Sequence, residues 1–387
     1  MNIVFVSLRS TVSYLGGAEI LTQVIAESLV RRGHKVTIYT AGANGRSLVR
    51  GVQIQETPLL SFPMRFRTTL MPFYSLCFGP MFAANEDFRT ADIIHAIDSD
   101  AMMLMSGWKF LKNRFVVTIQ DYTLIWPTKD FFTESIERHP IRALMSTWAT
   151  RFRKLVKIKT VGRLQYAVCV SEFVAREVRK VNPETTLSII GNCISPLWRV
   201  KTLAKKRDID ILYVGKLMPY KGVDVLLHAF AILLARRTFR IVIVGEGLEK
   251  RYAALASKLG IAESITFAGP LSHAHMPTYY LRSKVVVSPS IWPEPCGRSI
   301  IEAMWMGCAV VATNVGGTPE SLVDGSHGFL VPPSAPNAIA KACRSLLMHE
   351  NIRERFGQQA ALYAHKQYSS DRIAKEYDRF YALIKSE

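Results

Sequence analysis

Several things are scarce in this sequence of 387 residues, and each scarcity excludes something. No apolar run reaches the roughly 18–20 residues of a membrane-crossing helix without meeting a charge or a proline, so no spanning helix is expected. The opening MNIVFVSLRS lacks a basic leader, a long apolar stretch and a small-residue cleavage site. It is expected to be a first β-strand rather than a signal peptide. The six cysteines form no CxxC pair and meet no histidines at zinc-ligand spacing. Reduced thiols in a cytosolic chain, with no disulfide staples and no metal, are therefore expected. The dinucleotide fingerprint GxGxxG does not follow the first apolar run, which argues against a dehydrogenase. Acidic residues are outnumbered, 31 against 49 Lys and Arg, leaving a formal charge of +18. The excess is spread along the chain with no basic tail, so a nucleic-acid arm is not expected. A field of this sign suits phosphate-bearing substrates, an anionic membrane surface or nucleic acid.

What is present is an α/β pattern. Short apolar runs alternate with helical-period segments from end to end, the mark of parallel sheets built from βα units. In the first half, residues 2–6, 36–39, 93–95, 115–119 and 167–170 are predicted strands. Between the first two, Leu21, Val24, Ile25 and Leu29 repeat at helical spacing, with Gly16-Gly17 ahead and Gly33 behind. The pattern lapses over residues 195–208, which are polar and basic. A second set of strands is predicted at 209–214, 240–244, 265–267, 285–288, 309–312 and 329–331. The length exceeds one ordinary core, so two open α/β domains are expected, residues 1–196 and 197–368. Residues 369–387 carry Ile373, Tyr377, Phe380, Tyr381 and Ile384 at helical spacing and close the chain as an amphipathic helix. Two facing domains of this kind would set the carboxyl ends of both sheets around a central cleft.

Four local features carry chemistry. Gly16-Gly17-Ala18-Glu19 is a glycine turn at a helix start, where backbone amides and the positive helix end suit an anion. Residues 215–222, directly after a predicted strand, hold Lys216 and Lys221, five apart and able to straddle a diphosphate. Residues 293–304 read PEPCGRSIIEAM. There Glu294 lies in a proline-rich turn, and Gly297, Arg298 and Ser299 open a helix whose free amides suit an anion. Glu302, about one turn in, can accept hydrogen bonds from vicinal sugar hydroxyls, each worth roughly 1.5–3 kcal/mol. The fourth is Val315-Gly316-Gly317-Thr318-Pro319-Glu320, another glycine turn. The plain alternatives are helix-on-sheet packing for the glycine turns and solvated surface charges for the lysines and Glu302.

Together GGAE, the glycine-bounded lysine loop, VSEF at 170–173, VGEG at 244–247, the Glu-x7-Glu pair at 294 and 302, and GGTPE resemble family 4 of the retaining glycosyltransferases. The resemblance covers nearly the whole chain. It implies the GT-B architecture, two Rossmann-like domains, the first binding the acceptor and the second a nucleotide sugar, with residues 369–387 packing back on the first. The implied donor is UDP- or GDP-linked, with no metal or other cofactor required. Implied donor-binding residues are Gly17, Lys216, Lys221, Gly297, Arg298, Ser299 and Glu302, with Glu302 on the ribose. Implied catalytic residues are Glu294, beside the donor sugar, with His95 and Asp121. Three departures stand out. Arginine is common in the family where Lys216 stands, and phenylalanine where Cys296 stands. Many members place a histidine where this chain has Gln120-Asp121, so hydrogen bonding by these two residues would replace an imidazole.

The acceptor is expected to be a glycan or lipid-linked glycan of envelope assembly, handled at the cytoplasmic face of the membrane without nucleic acid. Two stretches support membrane contact. Residues 61–82 hold Phe62, Phe66, Phe73, Tyr74, Phe78 and Phe82, interrupted by three prolines. Residues 138–163 carry eight Lys and Arg, no acidic residue, and an apolar stripe from Ile141 to Val156, fitting a basic amphipathic helix on anionic lipid. The same stripe also fits a helix packed on the domain core. Alternative readings are another GT-B enzyme, such as an epimerase or a phosphorylase, and a basic nucleic-acid-binding protein.

Overall fold

The computed structural model describes residues 1–8, 17–61, 67–105, 107–120, 155, 158–198, 207–235 and 237–387. It divides into two compact units, Met1–Ser195 with Ser370–Glu387, and Pro196–Ser369.

The first unit is built on an eight-stranded sheet in the order β3-β4-β2-β1-β5-β6-β7-β8. Its strands are β1 (Asn2–Ser7), β2 (Lys35–Ala41), β3 (Gly45–Val49), β4 (Val52–Thr57), β5 (Ile93–Ala96), β6 (Phe115–Ile119), β7 (Tyr166–Cys169) and β8 (Thr186–Ile189). Every pair is parallel except β3 with β4. The five predicted strands are the buried ones. The additional β3, β4 and β8 lie toward the sheet edges, where half-exposed strands mix polar with apolar residues and give no apolar run. The helices are α1 (Gly17–Arg31), α2 (Arg67–Ala84), α3 (Glu86–Thr90), α4 (Ser99–Met105) and α5 (Glu172–Val181). Leu21, Val24, Ile25 and Leu29 of α1 pack onto Ile3, Phe5, Val36 and Ile38. Asp98 ties β1 to α4: it accepts from Ser7 Oγ (2.8 Å) and the Leu8 amide (2.9 Å), and caps α4 through the Ala101 amide (2.7 Å).

The stretch expected to be a greasy loop or helix is α2, which runs through Pro72 and Pro80. Phe82 of this helix is buried and stacks on Trp108 at 5.1 Å, while Leu76 is 78% and Met81 55% exposed. Residues 62–66 lie outside the described residues, as does most of the basic stretch, residues 138–154 and 156–157. Among the described residues no helix is long and apolar enough to cross a membrane.

The second unit is a six-stranded, all-parallel sheet in the order β11-β10-β9-β12-β13-β14. Its strands are β9 (Ile209–Val214), β10 (Ile241–Val244), β11 (Ile265–Gly269), β12 (Ser283–Ser288), β13 (Ala309–Thr313) and β14 (Gly328–Val331). Helices α6 (Val223–Leu234), α7 (Glu249–Lys258), α8 (Met276–Arg282), α9 (Arg298–Trp305), α10 (Thr318–Ser321), α11 (Pro336–Met348) and α12 (Glu350–Gln367) surround it. Its core joins Ile211, Tyr213, Val285 and Val311 of the sheet to Leu226, Leu227 and Phe230 of α6 and Ile339 and Leu346 of α11.

The last helix, α13 (Ser370–Ser386), belongs to the first unit. Its apolar stripe, Ile373, Tyr377, Phe380, Tyr381 and Ile384, enters the core formed by β1, β5 and α1. Charges at its rim fix the register: Asp378 pairs with Arg32 and with His34 (2.7 Å), and Asp371 with Arg31 (3.3 Å).

Candidate functional site

In the second sheet the strand order changes direction at β9, whose neighbours are β10 and β12. Beyond the carboxyl ends of such a strand pair no crossover covers the sheet, and open α/β folds bind ligands there. Loops from β9, β10 and β12 converge on this point and are joined through their backbones. The Gly215 amide donates to Val244 O (3.0 Å) and the Leu217 amide to Glu246 O (2.8 Å). The Ile291 and Trp292 amides both donate to Tyr220 O, at 3.1 and 3.0 Å. Close approach demands glycine at several positions, Gly222 and Gly316 among them. Gly222 has φ +71, and a Cβ there would lie 2.0 Å from Pro289 O. Gly316 has φ +57, with Glu294 O at 2.4 Å, and the next amide, Gly317, donates to that same oxygen at 2.7 Å. The fourth sequence feature is thus the seat of the loop that carries Glu294.

Charged side chains face each other across the strand switch. Lys221, after β9, places Nζ 2.6 Å from Oε1 of Glu294, after β12, with both side chains largely shielded. The Lys221 ammonium also lies 5.7 Å from the centre of the Tyr220 ring. Lys216 is exposed, and its carbonyl accepts from the buried Tyr213 hydroxyl at 2.9 Å. Burial, with Glu294 nearby, pushes the Tyr213 phenol well above its usual value, so it stays a donor.

Gly297 caps α9 without a side-chain bond, and the Ile300 amide donates back to Gly297 O at 3.0 Å, which leaves the Arg298 and Ser299 amides at the head of the helix. Glu302, one turn further, is buried, 7% exposed, yet satisfied: Oε2 accepts from the Tyr280 hydroxyl at 2.9 Å, and Oε1 lies 3.3 Å from Arg298. Burial raises the Glu302 carboxyl above its ordinary value, while Arg298 and the Tyr280 hydrogen bond pull it back. Arg298 also acts on His273, whose imidazole is pushed down to about 4 by burial first and by that guanidinium second.

The structure therefore gathers Lys221, Glu294, Gly297, Arg298, Ser299 and Glu302 at one end of the second sheet. In the first unit, Gly17 begins α1 and the preceding residues 9–16 lie outside the described residues, as does Asp121. His95 needs a correction as a candidate catalytic residue. It is 0% exposed on β5, with Nδ1 2.6 Å from the Tyr381 hydroxyl and Nε2 2.7 Å from Thr118 Oγ1. Burial lowers its imidazole to about 3. Both ring nitrogens are engaged and no surface is open to a substrate, so His95 fastens α13 to the sheet. Tyr280 was not anticipated from sequence: it stands 22 positions from Glu302 on a different helix, and no local pattern links the two. Among the described residues no group of three or more His, Cys, Asp or Glu is arranged to hold a metal ion.

Comparison with known proteins covers both units. Residues 195–363 match the family model described as glycosyl transferases group 1, and residues 15–198 that described as glycosyltransferase family 4. An uncharacterized glycosyltransferase of Methanocaldococcus jannaschii is 27% identical, the match covering 99% of this chain and 98% of that protein. A D-inositol 3-phosphate glycosyltransferase of Streptomyces griseus is 38% identical over 40% of this chain, and that match spans 34% of the relative's length. In fold, the chain is similar to sucrose-phosphate synthase from Thermosynechococcus elongatus, with TM-score 0.79 at 20% identity over 99% of each chain. Anabaena HepE, solved with UDP and glucose, has TM-score 0.71 at 19% identity over 99% of each chain. WaaG, a glycosyltransferase involved in lipopolysaccharide biosynthesis, has TM-score 0.71 at 17% identity over 100% of each chain.

Proposed function

The chain belongs to the GT-B glycosyltransferases, with a family 4 first domain and a group 1 second domain, and from that premise we propose that it moves a sugar from a UDP- or GDP-linked donor to a hydroxyl acceptor with retention at the anomeric carbon. The observation that carries this reading is the Lys221–Glu294 pair across the strand switch, beside the first turn of α9 and the buried Glu302.

In this reading the diphosphate lies against Lys221, Lys216 and the first turn of α9, where point charges and the positive helix end offset the charge of the leaving group. Metal independence is part of the proposal, because these cations supply what a divalent ion supplies elsewhere. Arg298 and Ser299 border the same turn, and Glu302 accepts from the ribose hydroxyls. Glu294 faces the donor sugar; when the diphosphate arrives, Lys221 exchanges a carboxylate partner for a phosphate one. The departing phosphate then takes the acceptor's proton, so no imidazole base is needed, consistent with the engaged nitrogens of His95. Asp121 and Gln120 are assigned to an acceptor or sugar hydroxyl in place of the family histidine.

The UDP and UDP-glucose bound to the similarly folded HepE favour a uridine donor. The lipopolysaccharide role of WaaG, the basic excess of this chain and the exposed Leu76 and Met81 on α2 favour a lipid-linked or envelope glycan as acceptor. The enzyme would then act in the cytoplasm, at the inner membrane face. The deciding experiment is calorimetric titration with UDP and GDP in EDTA, repeated on Lys221→Ala. Saturable binding of one nucleotide, weakened about tenfold or more in the variant, supports the reading. Binding that appears only with a divalent metal, or that Lys221→Ala leaves intact, overturns it.

A further inference from the structure

We infer that Tyr280 is a positioning residue of the donor site: its hydroxyl fixes the Glu302 carboxylate in the orientation that recognises the ribose hydroxyls. The inference rests on the nucleotide-sugar reading above.

A carboxylate has about four lone-pair directions, two on each oxygen. In Glu302 one direction on Oε2 is taken by the Tyr280 hydroxyl at 2.9 Å and one on Oε1 faces Arg298 at 3.3 Å. One direction on each oxygen remains, which is the number a pair of vicinal hydroxyls uses. The two protein donors differ in rigidity. Arg298 is a long side chain on the same helix, four residues back, and its side chain is 27% exposed. Tyr280 is 0% exposed on α8; its ring lies 5.8 Å from the Trp198 ring, and its carbonyl accepts from Cys308 Sγ at 3.0 Å. An enclosed ring of this kind has no alternative rotamer to visit, so it holds the oxygen it touches.

The bond is also one-directional. Burial, with Glu302 adjacent, pushes the Tyr280 phenol well above its usual value, so it stays a donor toward the carboxylate. A ribose hydroxyl approaching the site therefore meets a carboxylate already turned toward it, with its ordering cost met in the folded protein rather than on binding. Loss of the Tyr280 hydroxyl leaves a buried carboxylate oxygen short of a donor. Glu302 then turns to Arg298 or takes up a proton, and either response degrades hydroxyl recognition while leaving the diphosphate contacts at Lys221 alone.

The test is a ratio of affinities. UDP, GDP and ADP and their 2′-deoxy and 3′-deoxy counterparts are titrated against the full chain, against Tyr280→Phe and against Glu302→Gln, each checked for folding by thermal unfolding. The expected result is that the wild type prefers the intact ribose by roughly tenfold or more, and that both single variants reduce this preference toward one. Adding Tyr280→Phe to Glu302→Gln should change it no further, because the two act through one bond. Should the phenylalanine variant unfold, Tyr280→Met lacks the hydroxyl equally and carries the same expectation. A residue that only fills space would lower melting temperature and leave the ratio unchanged; that outcome overturns the inference while the donor reading stands. Absence of deoxy discrimination in the wild type, or of any nucleotide binding, removes the donor reading and this inference with it.

Discussion

In the proposed donor site Lys221 and Glu294 stand 2.6 Å apart, and each answers the other's charge. If the diphosphate competes with Glu294 for the ammonium, Glu294→Gln should bind free nucleotide diphosphate more tightly, by roughly three- to tenfold. The same variant should lose turnover by about a hundredfold or more, since the carboxylate beside the sugar is gone. Titration and initial rates on one preparation check both; weaker nucleotide binding in Glu294→Gln would refute the competition. His95 makes a different kind of statement. Its folded value of about 3 lies below the ordinary 6.5, because burial disfavours the charged ring. Above pH 6.5 neither folded nor unfolded chain holds that proton, and the buried ring contributes its full stability. Between 6.5 and 3 only the unfolded chain takes it up, so stability falls with falling pH at up to about 1.4 kcal/mol per pH unit. Denaturant unfolding across that window should show this slope, and His95→Asn should flatten it while lowering stability at neutral pH.

Among the elements, the loops at the strand switch depend on backbone positions that tolerate no Cβ. Gly222 and Gly33 both sit at positive φ, +71 and +88, but a Cβ at Gly222 meets Pro289 O at 2.0 Å while one at Gly33 meets nothing within 4 Å. Alanine at Gly33 should therefore cost about 1 kcal/mol from backbone strain alone, and at Gly222 about 2–4 kcal/mol together with weakened nucleotide binding. Equal losses at both positions in denaturant melts would show that the close contact at Pro289 is unimportant. Elements were legible in sequence to the degree that they are buried and regular. Helix α1 was visible in Leu21, Val24, Ile25 and Leu29, and β9 to β13 in their apolar runs. The edge strand β3 and its neighbour β4 were not, because they are only partly buried and their residues mix polar with apolar. Nor did the proline count of residues 61–82 settle between helix and loop, since Pro72 and Pro80 sit inside α2, which packs through Phe82 on Trp108.

Among the described residues each sheet packs a hydrophobic core of its own, and the chain visits the first core twice. Five large apolar side chains of α13 fill the core over β1 and β5. Tyr381→Ala removes one of the largest fully buried groups and also the hydroxyl at 2.6 Å from His95. A loss of about 3–5 kcal/mol is expected in the first unit, which holds Trp108, Trp126 and Trp148, read as earlier unfolding by denaturant in tryptophan fluorescence. A loss near 1 kcal/mol would mean that α13 is a peripheral strap.

The chain's chemistry was written locally where short range was enough: lysines in a glycine loop after a strand, two glutamates one helical stretch apart, glycines at helix starts, and apolar periods of two kinds. Such signals arise from contacts between residues close in sequence, and they marked the fold class and most of the candidate donor site. Folding alone decided what depends on distant partners. It set Lys221 against Glu294 across 73 positions and Tyr280 against Glu302 across 22, and it buried His95 beneath Tyr381, 286 positions away. Hydrogen bonding and desolvation are properties of the neighbours a side chain acquires, so a histidine at a strand end has the same sequence signature whether it faces a ligand or a core. Only the packing of α13 shows that this one faces the core.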